Sequence, residues 1–436
     1  MEIALKNIGK VKEADVKIDG ITVIAGANDT GKSTVGKALY AIFNSLHNID
    51  DKIKEERIES IANLFRSIFI NTKHRRFIPS QYFYIQAQKL VEKSTETEMS
   101  YDMVSDFLRN MTSDRDRIET LFDDITTQQS LFNIDDLESS AKQVYKILCL
   151  PNNEILGFYV DRALKVEFSR QVSNIYSKSS GEISLKIKGN SVNIFIENNI
   201  VKTIENPISL MTEATYIDDP YVLDLMEYEA IFPNHFNGLN LYHREDLKSK
   251  LSDDRVKNNA VNELLAKKQI DEIYNKINDV CDGEIVKIDN IIGYKKNNSD
   301  KVLNFTNLST GLKSFAIIKQ LLEKGFIHAN GTLILDEPEV HLHPEWQIAF
   351  AELIVLLHKD FGLHILINTH SPYFLNAIET YSQEYGVSNK CNYYSAVADE
   401  SSSIIKDVTN NTEEIYAKLA QPLQELENIR YRNLDD

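Results

Sequence analysis

A glycine-rich segment near the N-terminus has the residue types and spacing needed to bind phosphate. Residues 26–33 read Gly-Ala-Asn-Asp-Thr-Gly-Lys-Ser, which satisfies the pattern GxxxxGK[ST] between a strand-like apolar run and a helical pattern. The glycines permit a tight loop whose backbone N–H groups converge on phosphate oxygens, and the helix start adds positive potential. Lys32 would bridge the β and γ phosphates of a nucleoside triphosphate, and Ser33 would ligate Mg²⁺. The predicted nucleotide contacts are Gly26, Asn28, Asp29, Thr30, Gly31, Lys32, Ser33 and Thr34.

Two consecutive carboxylates could supply the matching acid chemistry. Residues 332–335 form an apolar strand pattern that runs into Asp336 and Glu337. At a strand end beside the phosphate loop, Asp336 would hold Mg²⁺ directly or through water, and Glu337 would be the general base. Acidic residues also commonly end a strand and start a turn. Their coexistence with the phosphate loop favours the catalytic interpretation, with ATP and Mg²⁺ as the expected ligands.

Two further segments are ambiguous by themselves. Residues 307–313 read Asn-Leu-Ser-Thr-Gly-Leu-Lys and open a helical pattern, where Ser309 and Gly311 could simply be a cap and a turn. The apolar run 365–367 leads to Asn-Thr and then His370, and a strand-end histidine is usually satisfied by local hydrogen bonds. Ser309 lies 27 residues before Asp336, so its position relative to the acidic pair keeps a functional interpretation open.

The elements that must position these residues alternate between strands and helices. Apolar periodicity predicts short strands up to residue 25, then a helix, a long helical region, a three-stranded antiparallel meander and a returning strand–helix alternation. We therefore expect an α/β fold with a mixed sheet and flanking helices. The predicted domains are the N-terminal part of the α/β nucleotide-binding domain, 1–48; a helical insert, 49–180; a β meander with helices, 181–283; and the C-terminal part of the same α/β domain, 284–436.

Composition narrows the class of protein. The chain has 436 residues, 42% of them hydrophobic, and a formal net charge of −17, which opposes broad attraction to nucleic acid or to anionic membranes. Any DNA contact would have to be local. Three separated cysteines fit reduced thiols, and no apolar run reaches membrane-spanning length. We expect a cytoplasmic protein with no membrane partner.

Together, these motifs resemble those of the ATP-binding-cassette ATPases. Residues 308–313 look like a divergent form of that family's LSGGQ signature, from which the second glycine and the glutamine are absent. The resemblance implies a head-to-tail dimer, in which Ser309 and Gly311 of one copy cap the γ phosphate bound by the other. It also implies that His370, at the end of the switch strand, contacts the γ phosphate and senses hydrolysis.

Within that superfamily, the string Asp-Glu-Pro-Glu-Val-His-Leu-His-Pro at residues 336–344 resembles the SMC, RecF and OLD branch more than transporters. The 60-odd residues after Pro372 are too few for the Toprim nuclease domain that OLD proteins carry. The remaining resemblance is to stand-alone ATPases of bacterial defence systems, such as the Septu ATPase subunit. It implies an ATP-driven switch in DNA metabolism or antiphage defence that controls a separate nuclease or toxin effector. The alternatives are a transporter nucleotide-binding subunit and a nucleotide-gated scaffold with negligible turnover.

Four other features have a plain and a functional interpretation. His341 and His343 could be metal ligands, although no third ligand is suitably spaced. The basic run 73–76 could touch phosphates but more commonly would be solvated. The C-terminal helical pattern 412–431 could dock a partner or pack on the head, and Pro422 predicts a break or kink in it. The family resemblance also implies a Gln-loop glutamine that contacts the nucleotide; Gln86 and Gln88 are candidates, but neither has a diagnostic sequence context.

Overall fold

The computed structural model describes residues 1–70, 80–113, 134–231, 242–253, 271–288 and 291–432. The chain divides into two compact units, one formed by Met1–His47 with Gly157–Asp436 and the other by Asn48–Leu156. The described strands are β1 Glu2–Ile8, β2 Val11–Lys17, β3 Ile21–Ala25, β4 Gly181–Ile187, β5 Asn190–Glu197, β6 Ile200–Glu205, β7 Ala214–Ile217, β8 Gly283–Ile288, β9 Ile291–Lys296, β10 Val302–Leu303, β11 Thr332–Asp336, β12 His364–Thr369, β13 Cys391–Asp399 and β14 Ser402–Asp407. The described α-helices are Lys32–Leu46, Ile49–Ile70, Ser80–Glu96, Tyr101–Ser113, Ile134–Cys149, Asn152–Glu167, Val222–Ile231, His243–Ser252, Asp271–Val280, Thr310–Glu323, Pro344–Phe361, Pro372–Glu384 and Glu413–Arg432.

The larger unit is built on an eleven-stranded mixed sheet in the order β6-β5-β4-β1-β2-β14-β13-β3-β12-β11-β7. The five strands from β13 to β7 are mutually parallel, whereas β6, β5, β4, β1 and β2 form an antiparallel run. Every residue of β3 and β11 is buried, which is typical of parallel strands covered on both faces by helices. The predicted α/β fold with a mixed sheet and flanking helices is confirmed.

The parallel strands bring distant parts of the chain to one edge. In the register, Thr369 of β12 pairs with Ala25 of β3, and Asn368 pairs with Asp336 of β11. Because parallel strands end at the same edge, the loops after β3, β7, β11 and β12 begin side by side. Ligands of such sheets bind at this carboxyl edge.

The meander joins the main sheet. β4 pairs antiparallel with β1, so Ile183 lies opposite Leu5 and Leu185 opposite Ile3, and these side chains are buried. Burial of this alternating apolar face explains why the meander extends the sheet. The smaller compact unit is Asn48–Leu156. A second sheet, β8 to β10, is antiparallel.

The smaller unit has its own hydrophobic core, which includes Ile61, Phe65 and Leu90. Gln86 and Gln88 lie on its helix Ser80–Glu96, where the Gln88 Nε2 donates to Glu92 Oε1 over 3.0 Å. The basic run 73–76 lies outside the described residues. In the larger unit, the C-terminal helix continues through Pro422 instead of breaking there.

Candidate nucleotide-binding site

The phosphate loop connects β3 directly to the helix Lys32–Leu46. Gly31 precedes this helix with φ +77°, a left-handed conformation that favours glycine, and an added Cβ would lie 2.8 Å from Ser403 Oγ. At Gly26, an added Cβ would lie 2.7 Å from the Ala396 carbonyl oxygen. Both glycines of the motif are therefore required by close packing against β13 and β14.

Lys32 folds back over this loop. Its side chain is 4% exposed, and its Nζ donates to the carbonyl oxygens of Gly26 and Ala27 over 3.0 and 2.8 Å. The same Nζ lies 3.5 Å from Glu337 Oε1. The lysine predicted from the loop motif and the second predicted acid therefore form an ion pair, although they come from opposite ends of the chain.

A cavity of about 390 Å³ opens on this ion pair, which is within the usual size range of small-molecule sites. The residues that line it are Lys10, Asn28, Asp29, Thr30, Gly31, Lys32, Ser33, Thr34 and Glu337. Lys10, which sequence reasoning missed, forms an ion pair with Asp29. It follows the short strand β1, and nothing in its local sequence distinguishes it from other surface lysines.

Asp336 is held between the two neighbouring strands. The carboxylate is 9% exposed, Oδ2 accepts a hydrogen bond of 2.9 Å from Tyr216 Oη, and Oδ1 accepts one of 2.9 Å from Asn368 Nδ2. Tyr216 lies on β7 and Asn368 on β12, so the sheet order places a donor on each side. Burial, followed by the charge of Asp336, raises the pKa of Tyr216, which therefore remains a protonated donor.

Glu337 has an unusual backbone conformation. Its φ is +50°, and its backbone N–H donates to the Asn368 carbonyl oxygen over 2.9 Å. Left-handed conformations at non-glycine residues cost free energy and concentrate at functional sites. The His370 Nδ1 lies 3.4 Å from Glu337 Oε1, and His370 followed by Lys32 holds the pKa of Glu337 below its usual value. Glu337 is therefore ionised at neutral pH.

His370 is positioned by Glu339. The buried Glu339 Oε1 accepts the backbone N–H of His370 over 2.9 Å and the hydroxyl of Thr369, and it lies 3.6 Å from His370 Nδ1. Burial raises the pKa of Glu339, whereas Glu337 raises the pKa of His370. Sequence reasoning gave Glu339 no role, because only the adjacency of β11 and β12 brings it under His370.

Ser309 and Gly311 lie at the start of the helix Thr310–Glu323. Ser309 is exposed and caps the helix, its Oγ accepting from the Leu312 backbone N–H over 3.4 Å. Gly311 packs against Trp346, whose Cε3 would lie 2.6 Å from an added Cβ. Neither residue lines the cavity.

Comparison with known proteins gives the family. The family model described as AAA ATPase domain matches residues 1–375. This chain belongs to that family. Solved structures similar to this ATPase domain include the SMC head domain from Thermotoga maritima, with 10% identity, coverage of 93% of this chain and 98% of that chain, and a TM-score of 0.38. An Smc head from Pyrococcus furiosus with an extended coiled coil, bound to the C-terminal domain of ScpA, has 11% identity, coverage of 98% of both chains and a TM-score of 0.40.

The residues of this ATPase domain fit a Mg²⁺ ion bound together with a nucleotide. Among the described residues, no group of three or more His, Cys, Asp or Glu side chains could hold a metal by itself. Mg²⁺ usually binds one or two carboxylates and completes its shell with phosphates and waters, so the hydroxyl of Ser33 and the carboxylate of Asp336 are suitable donors.

His341 packs edge-on against Tyr221 at 5.6 Å, and His343 precedes the helix Pro344–Phe361. None of the described helices has both the length and the hydropathy of a membrane-crossing segment.

A buried charged cluster of the ATPase domain adjoins Tyr216. His243 is 1% exposed, with Nδ1 lying 2.7 Å from Glu167 Oε2 and Nε2 lying 3.0 Å from Asp218 Oδ2. Burial alone would lower the pKa of His243, but the hydrogen bonds to Asp218 and Glu167 outweigh it and raise the pKa to about 8. Sequence reasoning missed this cluster, since its members are ordinary charged residues until the fold assembles them.

This pKa predicts a pH-dependent stability. Because the folded-state pKa of His243 is about 8 and its ordinary value is 6.5, its charged contacts contribute fully below pH 6.5 and are lost as the pH rises through 8. The difference corresponds to about 2 kcal/mol in the free energy of unfolding. In urea denaturation, the difference in free energy of unfolding between the wild type and His243→Gln should therefore be about 2 kcal/mol larger at pH 6 than at pH 9.

Asp218 and the three tyrosines near His243 titrate outside that interval. Burial would raise the pKa of Asp218, but hydrogen bonds from His243 and Arg244 lower it to about 2, and the pKa values of Tyr40, Tyr216 and Tyr242 are raised. The gap between wild type and variant should therefore follow His243. An equal gap at both pH values would contradict the charged state assigned to this histidine.

Proposed function

We propose that this chain binds ATP with Mg²⁺ in the cavity between the phosphate loop and Glu337, and hydrolyses ATP by phosphoryl transfer to water. The observation that carries the proposal is the meeting of Lys32, Glu337 and His370 at one edge of the sheet. Glu337 Oε1 lies 3.5 Å from Lys32 Nζ and 3.4 Å from His370 Nδ1. Family membership supports nucleotide binding.

Each residue would have a distinct part in this reaction. Lys32 would leave the loop carbonyls and Glu337 for the β and γ phosphates, where its charge stabilises the transition state. Once released, ionised Glu337 would orient and deprotonate the attacking water, and His370 would contact the γ phosphate. Mg²⁺, held by Ser33 and Asp336, would supply neutralisation of phosphate charge.

We further propose that two copies pack head to tail, so that Ser309 and Gly311 act on the nucleotide of the partner copy. Support comes from the position of Ser309, which is exposed at a helix N-terminus and lies outside the cavity lining of its own chain. Backbone N–H groups at a helix start favour anions. An exposed start of this kind is suited to a phosphate presented by a second molecule.

Mixing two inactive variants tests this arrangement. Ser309→Asp keeps a good helix cap but places a negative charge next to the γ phosphate, whereas Lys32→Ala disables the phosphate loop. Each variant alone should show little ATP turnover. In an equal mixture, half of the dimers are mixed and each mixed dimer has one intact composite site, so about a quarter of wild-type activity should return if the two sites work independently.

The matched control replaces Ser309→Asp by Ser309→Asn, which also caps the helix but adds no charge. This variant should remain far more active than Ser309→Asp. If mixing the two inactive proteins restores no turnover while both fold and exchange subunits, Ser309 does not act in trans.

We propose that the ATPase cycle drives a switch in DNA metabolism or antiphage defence, and that the partner is a separate nuclease or toxin effector. The support is the resemblance of residues 336–344 to the SMC, RecF and OLD branch. Purification of tagged Glu337→Gln from its native cells, with ATP or with ADP, tests this proposal. A co-purifying nuclease or toxin retained in one nucleotide state supports it, and a permease in its place overturns it.

A further inference from the structure

The buried cluster around His243 also contacts Tyr216, whose hydroxyl donates a hydrogen bond to Asp336 at the carboxyl edge of the sheet. We infer that His243 is a positioning residue that acts through Tyr216 to orient the carboxylate of Asp336 for a divalent cation. This inference rests on the proposed function, because it takes Asp336 to be a cation ligand during ATP binding.

The first step is the fixed orientation of the His243 ring. Its two nitrogens lie 2.7 and 3.0 Å from carboxylate oxygens of Glu167 and Asp218, which approach from opposite sides of the ring. The backbone N–H of His243 also donates to the other oxygen of Glu167 over 2.8 Å. A rotation of the ring would break both side-chain contacts, so the imidazole is held in one plane.

Pairing between opposite charges stabilises this buried arrangement. Asp218 also accepts from Arg244, whose Nε lies 3.0 and 2.9 Å from its two oxygens. His243 and Arg244 are therefore paired with the carboxylates of Asp218 and Glu167, and Arg244 also lies 3.7 Å from Asp219. Burial of charge is tolerated only when each charge is paired in this way.

The second step is the contact between the two rings. The ring of Tyr216 stacks on His243 with a centroid distance of 4.4 Å and an interplanar angle of 24°. Gly36, on the helix Lys32–Leu46, also lies close to the tyrosine hydroxyl, because an added Cβ there would lie 3.3 Å from Tyr216 Oη. Packing by an immobile imidazole on one side and a helix backbone nearby restricts where the hydroxyl can lie.

The third step is the hydrogen bond to the carboxylate. Tyr216 Oη donates to Asp336 Oδ2 over 2.9 Å, and Asn368 Nδ2 donates to Oδ1 over the same distance. Each carboxylate oxygen keeps further lone-pair capacity, which a cation or its water can use. Donors on both oxygens fix the carboxylate plane, and second-shell hydrogen bonds of this kind commonly tune metal affinity by 10- to 100-fold.

Binding of Mn²⁺ to the complex of the protein with a non-hydrolysable ATP analogue tests the inference, with electron paramagnetic resonance as the readout. Tyr216→Phe removes one oxygen atom and keeps the ring stack, and we expect Mn²⁺ affinity to fall about 10-fold. His243→Gln should weaken Mn²⁺ affinity about 3-fold or more. Adding His243→Gln to Tyr216→Phe should cause no further loss of Mn²⁺ affinity, because residues that act through one another are non-additive. Binding of the analogue in EDTA should stay unchanged in all three variants.

Tyr416→Phe is the matched control, since it removes the tyrosine hydroxyl that donates over 2.6 Å to Glu379, a carboxylate on the helix Pro372–Glu384 that has no proposed part in cation binding. It should leave Mn²⁺ affinity unchanged. If His243→Gln does not fold, Glu167→Gln takes its place, because it loosens the same ring with a smaller change.

The outcomes separate the inference from the function on which it rests. A wild-type protein that binds no Mn²⁺ with the analogue would overturn the proposed function. Wild-type Mn²⁺ binding with an unaltered Tyr216→Phe variant would overturn only the role of Tyr216. Additive losses in the double variant would show that His243 does not act through Tyr216.

Discussion

Glu337→Gln should lower the steady-state rate of phosphate release by at least about 100-fold, with nucleotide binding retained. Glutamine has a similar shape but cannot accept a proton from water, and it removes the negative charge that lies near Lys32 and His370. ATP should therefore remain bound and unhydrolysed. We expect this variant to accumulate as an ATP-bound dimer, which light scattering coupled to size exclusion would detect as a doubled mass.

Glu345→Gln is the control for this result. Its carboxylate is 85% exposed, lies outside the cavity lining and has the same chemistry as Glu337. The control should hydrolyse ATP at the wild-type rate and show no extra dimer. Unchanged phosphate release by Glu337→Gln would refute the assignment of the general base.

Lys32→Ala should reduce ATP affinity by about 100-fold, measured with a fluorescent ATP analogue at fixed Mg²⁺. The estimate follows from the typical cost of removing one partner from a buried charged contact, about 2–5 kcal/mol. Lys32 is the buried cation of the cavity lining, and its Nζ is already within reach of the loop carbonyls that surround the predicted phosphate position.

Lys37→Ala provides the comparison, because Lys37 lies on the same helix but outside the cavity lining. Its replacement should leave ATP affinity within about 2-fold of the wild type, as expected for a half-buried lysine that makes no phosphate contact. Equal losses in the two variants would mean that net charge, rather than a contact by Lys32, determines affinity.

The candidate site divides into a local part and an assembled part. Residues 26–34 are contiguous, and their loop conformation follows from glycines and a helix start, so the sequence could predict it. The ion pair between Lys32 and Glu337 requires β3, β12 and β11 to be adjacent, which is a property of strand order. Motif resemblance indicated this adjacency, whereas periodicity alone could not.

The meander shows the limit of periodicity in the same way. Alternating apolar residues such as Ile183 and Leu185 predict strands with one buried face, but the pattern does not name the partner strand. Pairing with β1 joins residues far apart in the chain and places the meander in the main sheet. The role of Tyr216, on the strand Ala214–Ile217, likewise depends on the position of that strand beside β11.

The phosphate loop, the strand that carries Asp336 and Glu337, and the α/β class could be predicted from the sequence, since each depends on neighbouring residues and their periodicity. The side chains that surround those acids could not, because they come together only in the folded sheet. Tyr216, Asn368, Glu339 and His243 reach the site through long-range strand pairing and burial, and their individual residue types carry no signal of it. The free energy that orients them comes from desolvated hydrogen bonds, which exist only after the sheet has formed.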